Sequence, residues 1–258
     1  MENVGDIYVK SCQKIIPDTP LFGAVAIDDT FFFKDSETIC NGENYKTAMA
    51  FVLCYGNITP RFLLGMPSED RCMPYKGEIT KSNGPLVYEI NNISAYRYFE
   101  GIGIARNGIL AENATAFLPF LIEPKKRTAV DNTPVMRSLE SFTEDGTAVF
   151  YGNIEEGSTF TILLCDADDA LSTARQKTEQ INAMSDVNGV LLFSCINKRI
   201  ISISDNPLIE LEAVKDMIKS DIPFMMAYAG GEFSPVLSRD GASVVSKFHE
   251  FSLVVLVV

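Results

Sequence analysis

The chain has 258 residues, 47% of them hydrophobic and 22% charged, which excludes disorder and low complexity and leaves room for one large domain or two small ones. Lys and Arg number 22 against 34 Asp and Glu, a net charge of −12 that repels phosphate backbones, so no nucleic-acid partner is expected. No run reaches 18 apolar residues, and Met1 to Lys10 has neither the basic start nor the apolar run of a signal peptide, so a cytoplasmic location and no membrane insertion are expected.

Val4, Ile7, Tyr8, Cys12, Ile15 and Ile16 recur at helical spacing and stop at Pro17, Thr19 and Pro20, which predicts an opening helix. Leu21 to Ile27 reads as a strand. Further antiparallel strands are predicted at Phe31 to Phe33, Thr38 to Cys40, Thr47 to Tyr55 and Arg61 to Leu64, separated by polar turns. Residues 65–76 carry Gly, two Pro and charge without periodicity, and read as a linker. Gly77 to Thr80 and Leu86 to Ile90 flank an Asn83-Gly84 turn, the pattern of a hairpin, and a helix follows from about Ser94.

Strands are predicted at Phe117 to Ile122, Val135 to Phe142, Ala148 to Asn153 and Thr159 to Cys165, with Gly146 and Gly157 marking turns. Asp168 to Met184 reads as a helix, Gly189 to Cys195 as a strand, and Pro207 to Ser220 as a helix with Leu208, Leu211, Val214, Met217 and Ile218 on one face. Pro223 to Tyr228 and Lys247 to Val258 close the chain as strands. Runs of strands with few intervening helices imply an α+β fold of mostly antiparallel β-sheets flanked by helices, in two subdomains, 1–72 and 73–258.

Motifs for common chemistry are missing: there is no GxGxxG, Walker A loop, HExxH or GxSxG. The six cysteines form no CxxC and no Cys/His pairing, so no zinc site, no cofactor and no disulfide framework is expected. Asp166, Asp168 and Asp169 gather like metal ligands, but they stand before a helix and more simply cap it. A single histidine, His249, leaves little acid–base chemistry near neutral pH, which argues against an enzyme.

Five segments together carry a resemblance: GEITKSNGPLVYEINNISAYRYF (77–99), LLFSCINKRI (191–200), ELEAVKDMI (210–218), PFMMAYAGGEFSP (223–235) and FHEFSLVVLVV (248–258). In order and spacing they resemble the C-terminal half of the FIST sensory domain. PDTPLFGAVAIDD (17–29) resembles the end of that family's N-terminal half. Ahead of it stands one helix where the family has about a domain's worth of residues, so the N-terminal half is expected to be covered only in part and the chain to be truncated. Asn91-Asn92-Ile93 stands where relatives more often carry an Asp-Gly turn. The resemblance implies a non-catalytic intracellular sensor of a small metabolite, an amino acid being the usual suggestion, that works with a signalling output domain or partner protein.

A zwitterion needs a cation, an anion and close backbone. Among the matched motifs, Arg199 offers a bidentate fork for a carboxylate, Glu232 an acceptor for an ammonium, and Gly230 and Gly231 open access to backbone amides, with Tyr228 and Cys195 as walls. The plainer alternatives are a turn of positive φ at the glycines and a pair between Glu232 and Arg199. Arg137, in a predicted strand with Val135 and Leu139, either points the same way as them, partly buried and in need of a carboxylate or a ligand, or lies solvated on the opposite face, which base rates favour at least as much. The resemblance also implies an alternative, a haem-binding gas sensor, for which His249 joins the set as the one imidazole available as an axial ligand. Two further alternatives are a hydrolase using Cys195 or Glu232, and an interaction module that forms a homodimer.

Overall fold

The computed structural model describes residues 5–28, 35–106, 109–110, 118–125, 133–204, 206–237 and 244–258. The opening periodicity becomes helix α1 (Gly5–Ile15), which buries Gly5 and Val9. Of the strand expected at Leu21 to Ile27, only β1 (Gly23–Ala24) forms, followed by a small hairpin of β2 (Thr38–Cys40) and β3 (Glu43–Tyr45). The Phe31 to Phe33 strand lies outside the described residues. Thr47 to Tyr55 does not form a strand: residues 46–60 are exposed and irregular, because no neighbouring strand takes up their backbone groups among the described residues.

β4 (Arg61–Gly65) forms as expected, but the linker read at 65–76 is largely structured. It holds the end of β4, a 3₁₀ turn at Glu69–Arg71 and the start of the long strand β5 (Cys72–Asn83). β5 turns at Gly84 into β6 (Leu86–Ile90), as the Asn-Gly signal requires. A second tight turn links β6 to β7 (Ile93–Ser94). Asn91 and Asn92 both take positive φ there, 51° and 62°, the conformation Asn tolerates best after Gly. Ser94 caps α2 (Ala95–Gly101), which leads to the short pair β8 (Ala105–Arg106) and β9 (Ile109–Leu110).

The next strands are β10 (Phe120–Glu123), β11 (Val135–Arg137), β12 (Leu139–Phe142), β13 (Ala148–Phe150) and β14 (Thr159–Leu163). The single strand expected over Val135 to Phe142 is therefore broken at Ser138. The physical reason is the sheet order, β11-β10-β14-β5-β6-β13-β12, with β7 beside β6. Its first and last strands are consecutive in the chain, so the eight-stranded sheet curls round and the chain bends at Ser138 to close it. Inside lie Phe99, Phe120, Phe150 and Phe160, with ring centroids 5.3–6.4 Å apart.

Asp166 caps α3 (Ala167–Ala183) through a reciprocal capping box with Asp169, and Arg71 reaches both carboxylates at 2.6 and 3.4 Å. These aspartates thus serve a helix start. Next come β15 (Val190–Cys195), α4 (Ile196–Ile201), α5 (Ile209–Met217), β16 (Phe224–Ala229), β17 (Glu232–Leu237), β18 (Val244–His249) and β19 (Leu253–Val257). α4 and β17 were not separately read from the sequence, and the closing strand expected from Lys247 splits at Phe251, which takes φ 53°. β15 and β16 run parallel, joined through α4 and α5, and every other pairing among the described residues is antiparallel.

The four-stranded sheet β16-β15-β19-β4 presents Val190, Leu192, Val255 and Val257 to α3 and α5. On its other face Phe22 stacks between Phe62 and Phe193. A three-stranded sheet, β1-β17-β18, carries α1. The fold is α+β, as expected. Strands from the first 72 residues are stitched into sheets from the last 72, β1 onto β17 and β4 onto β19.

Candidate functional site

A cleft of about 270 Å³ opens between α1, the β10–β11 edge, the loop after β13 and β18. At its floor is Arg137, only 3% exposed. Of the two orientations the sequence left open for this side chain, the structure takes the inward one, and its position is set by backbone: Nε donates to the Asn153 carbonyl at 3.2 Å, and Nη1 donates to the carbonyls of Met136 and Phe248, each at 3.0 Å. The Phe248 ring lies 5.6 Å from the guanidinium carbon, and any Cβ at position 152 would run into Nε, so Gly152 is what makes room for it. The remaining arm, Nη2, donates to both oxygens of Asp6 on α1, at 3.1 and 3.2 Å. The carboxylate partner expected for Arg137 is thus Asp6, whose Oδ2 also accepts from the backbone N–H of Asn153 at 2.7 Å.

Behind this wall lies a second cluster, wholly inside the protein. At the Ser138 corner the freed backbone N–H donates to Glu250 Oε2 at 2.5 Å. His249 faces Glu232 across the β17–β18 ladder, and Glu232 Oε2 accepts from the Ser252 hydroxyl at 2.6 Å. The Ser252 carbonyl accepts from Cys195 N at 3.0 Å, which draws the end of β15 into the same junction. Glu232 Oε1, Glu250 Oε1 and both ring nitrogens of His249 have no hydrogen-bond partner among the described residues. Burial pushes Glu232 well above the usual carboxyl range, Glu250 up to about 7, and His249 down to about 3, the last reinforced by the Arg137 charge. Burial likewise raises the Cys195 thiol, followed by the charge of Glu232.

The other expected residues lie elsewhere. Tyr228 sits opposite Ser194 in the parallel register, on the face that carries Glu210, while Cys195 points to the other face of that sheet. Arg199 lies over the Tyr228 ring at 5.9 Å, and the Tyr228 hydroxyl is buried without a hydrogen-bond partner among the described residues. Gly230 donates its N–H to Val25 and Gly231 accepts from Val25, each at 2.9 Å, so this turn anchors β1. Gly231 takes φ +121°, and a Cβ there would strike the Phe248 ring, so both the turn and the packing require glycine. The structure therefore brings Cys195, Glu232 and His249 together, sets Arg199 with Tyr228, and gives Arg137 a cleft of its own.

Sequence reasoning missed Asp6, Lys10, Asn153 and Glu155 in the cleft, Glu250 in the buried junction, and the buried pair Lys198–Glu210 at 3.3 Å. No spacing signal marks Asp6, which stands 131 residues from its partner. Glu250 was within reach, as the neighbour of His249 in a closing run otherwise apolar. Among the described residues no group of three or more His, Cys, Asp or Glu side chains is arranged to hold a metal ion, and no helix is long and apolar enough to cross a membrane.

The family model of the FIST N domain matches residues 4–93, and that of the FIST C domain matches residues 95–235. The chain belongs to the FIST family. Both halves are covered, which corrects the expectation that the N-terminal half would be matched only in part. Searches of curated proteins and of solved structures return no match. FIST domains are sensory domains of signal transduction, and the cleft lies where their two halves meet: Asp6 and Lys10 fall in the FIST N match, Arg137 and Asn153 in the FIST C match.

Proposed function

We propose that this FIST protein is a non-catalytic sensor that takes a small metabolite, an amino acid or a related carboxylate, in the cleft beside Arg137 and passes the event to a signalling partner. The observation that carries this reading is the cleft itself: about 270 Å³, with a backbone-held guanidinium at its floor and charges of both signs, Lys10 and Glu155 among them, in its lining. That arrangement suits a carboxylate and an ammonium on one small molecule. The absence of catalysis is supported by Cys195, whose buried thiol is held in the unreactive protonated form, and by His249, whose buried ring stays neutral. Six free thiols accord with a reducing compartment.

Titration calorimetry of the purified protein against the common amino acids and small mono- and dicarboxylates tests the reading. At least one member is expected to bind, and Arg137→Lys, which keeps the charge and loses the fork, is expected to weaken it by about tenfold or more. A panel that gives no heat would overturn the proposal.

A further inference from the structure

The position occupied by the Asp6 carboxylate has the features of a carboxylate receptor whose donors all belong to other parts of the fold. Three contacts bolt Arg137 to the carbonyls of Met136, Asn153 and Phe248, none of them on α1. Nη2 and the backbone N–H of Asn153 then converge on a single carboxylate, with donor distances of 3.1, 3.2 and 2.7 Å. The receptor is therefore in place whether or not α1 is docked. Its present occupant is a side chain, 14% exposed along the cleft against 3% for the arginine beneath it.

We infer that Asp6 is a tethered stand-in for the ligand, and that a free carboxylate binds in the same two-donor receptor by displacing Asp6 and, with it, helix α1. The inference rests on the sensory reading of this cleft and names the ligand group and the element that responds.

The hold of α1 on the body is slight enough to allow this. It buries only Gly5 and Val9, Gly5 lying so close to the Phe248 ring that a Cβ there would clash with it at 2.6 Å, and Gln13 donates to the Ser246 carbonyl at 3.3 Å. Ile7 and Ile15 on the same helix are exposed. An element with few buried contacts opens at low free energy. A tethered carboxylate also competes with a free one at its effective concentration, so it sets the threshold at which the ligand wins. Vacating the receptor removes that competition. Lys10 leaves the cleft along with α1, while Glu155 stays beside the receptor, where it can take an ammonium group on the incoming molecule.

Asp6→Ala and Asp6→Asn, the second keeping the shape of the side chain, test the inference with acetate as the probe, because acetate carries the same end group as Asp6. Acetate, compared with chloride at equal ionic strength, is expected to raise the melting temperature of Asp6→Ala and to leave the parent protein unmoved. Succinate and glutamate are expected to bind either variant about tenfold or more tightly than the parent. In the parent, whichever of these two binds is expected to speed amide hydrogen exchange across residues 5–15. Equal acetate response in parent and variants, with no gain in affinity and unchanged exchange over α1, would overturn the inference. If the calorimetric panel still binds the parent in that case, the sensory reading stands alone; silence from parent and variants alike defeats both.

Discussion

Lys198 and Glu210 show how far a single residue can depart from its usual place. The pair is 1% and 0% exposed, bonded at 3.3 Å, and the second carboxylate oxygen accepts from the Ser194 hydroxyl at 2.7 Å. Removing one partner strands the other charge in the interior, so Lys198→Met is expected to cost about 3–5 kcal/mol in urea unfolding, most of it recovered when Glu210→Leu is added. In the sequence Lys198 and Arg199 are adjacent cations, and the matched motif points to the arginine as the functional one. The short helix α4 turns Lys198 inward and lays Arg199 against Tyr228 instead. Arg137 was legible only as one of two orientations, inward or solvated, because alternation is a local property of a strand and the face that becomes buried is not. Its partner was not, since nothing near residue 6 refers to residue 137.

Among elements, those with local signatures appeared where expected. The Asn83-Gly84 hairpin, the Ser94 cap and the Asp166 capping box each depend on a few neighbouring residues. Some segments whose fate depends on a partner did not. Thr47 to Tyr55 has the composition of a strand, yet Phe51 is 80% exposed and its segment pairs with nothing among the described residues. Phe51→Ser is accordingly expected to change the free energy of unfolding by less than about 0.5 kcal/mol, a result read from the urea midpoint, where a buried phenylalanine would cost several times that. α4 escaped notice because six residues are too few for a helical period to show. The breaks at Ser138 and Phe251 escaped because both lie within apolar runs and are imposed by the closing of sheets.

At the scale of the whole molecule, the buried junction sets how stability responds to pH. His249 titrates near 3 in the fold against an ordinary 6.5, so the unfolded chain takes up a proton first and stability falls as pH drops from 6.5 toward 3. Glu250 titrates near 7 against an ordinary 4.5, so the unfolded chain loses its proton first and stability falls as pH rises from 4.5 toward 7 and stays lower above it. Glu232 acts in the same sense as Glu250. The two slopes oppose each other between 4.5 and 6.5, where the profile is expected to be flattest. Glu250→Gln is expected to reduce the fall between about pH 5 and pH 8 by about 3 kcal/mol, measured by urea unfolding at both values. An unchanged alkaline fall would show that Glu250 does not carry it.

Composition, periodicity, caps and turns determined the α+β class, most helix and strand positions and the family resemblance, because each of these is written within a few residues or in an ordered series of motifs. Tertiary structure alone decided that a strand closing the curled sheet bends at Ser138, that Glu232 meets Ser252 and His249 and not Arg199, and that Asp6 fills the receptor built around Arg137. Those pairings follow from the order in which strands join their sheets, and a chain's local chemistry does not contain that order.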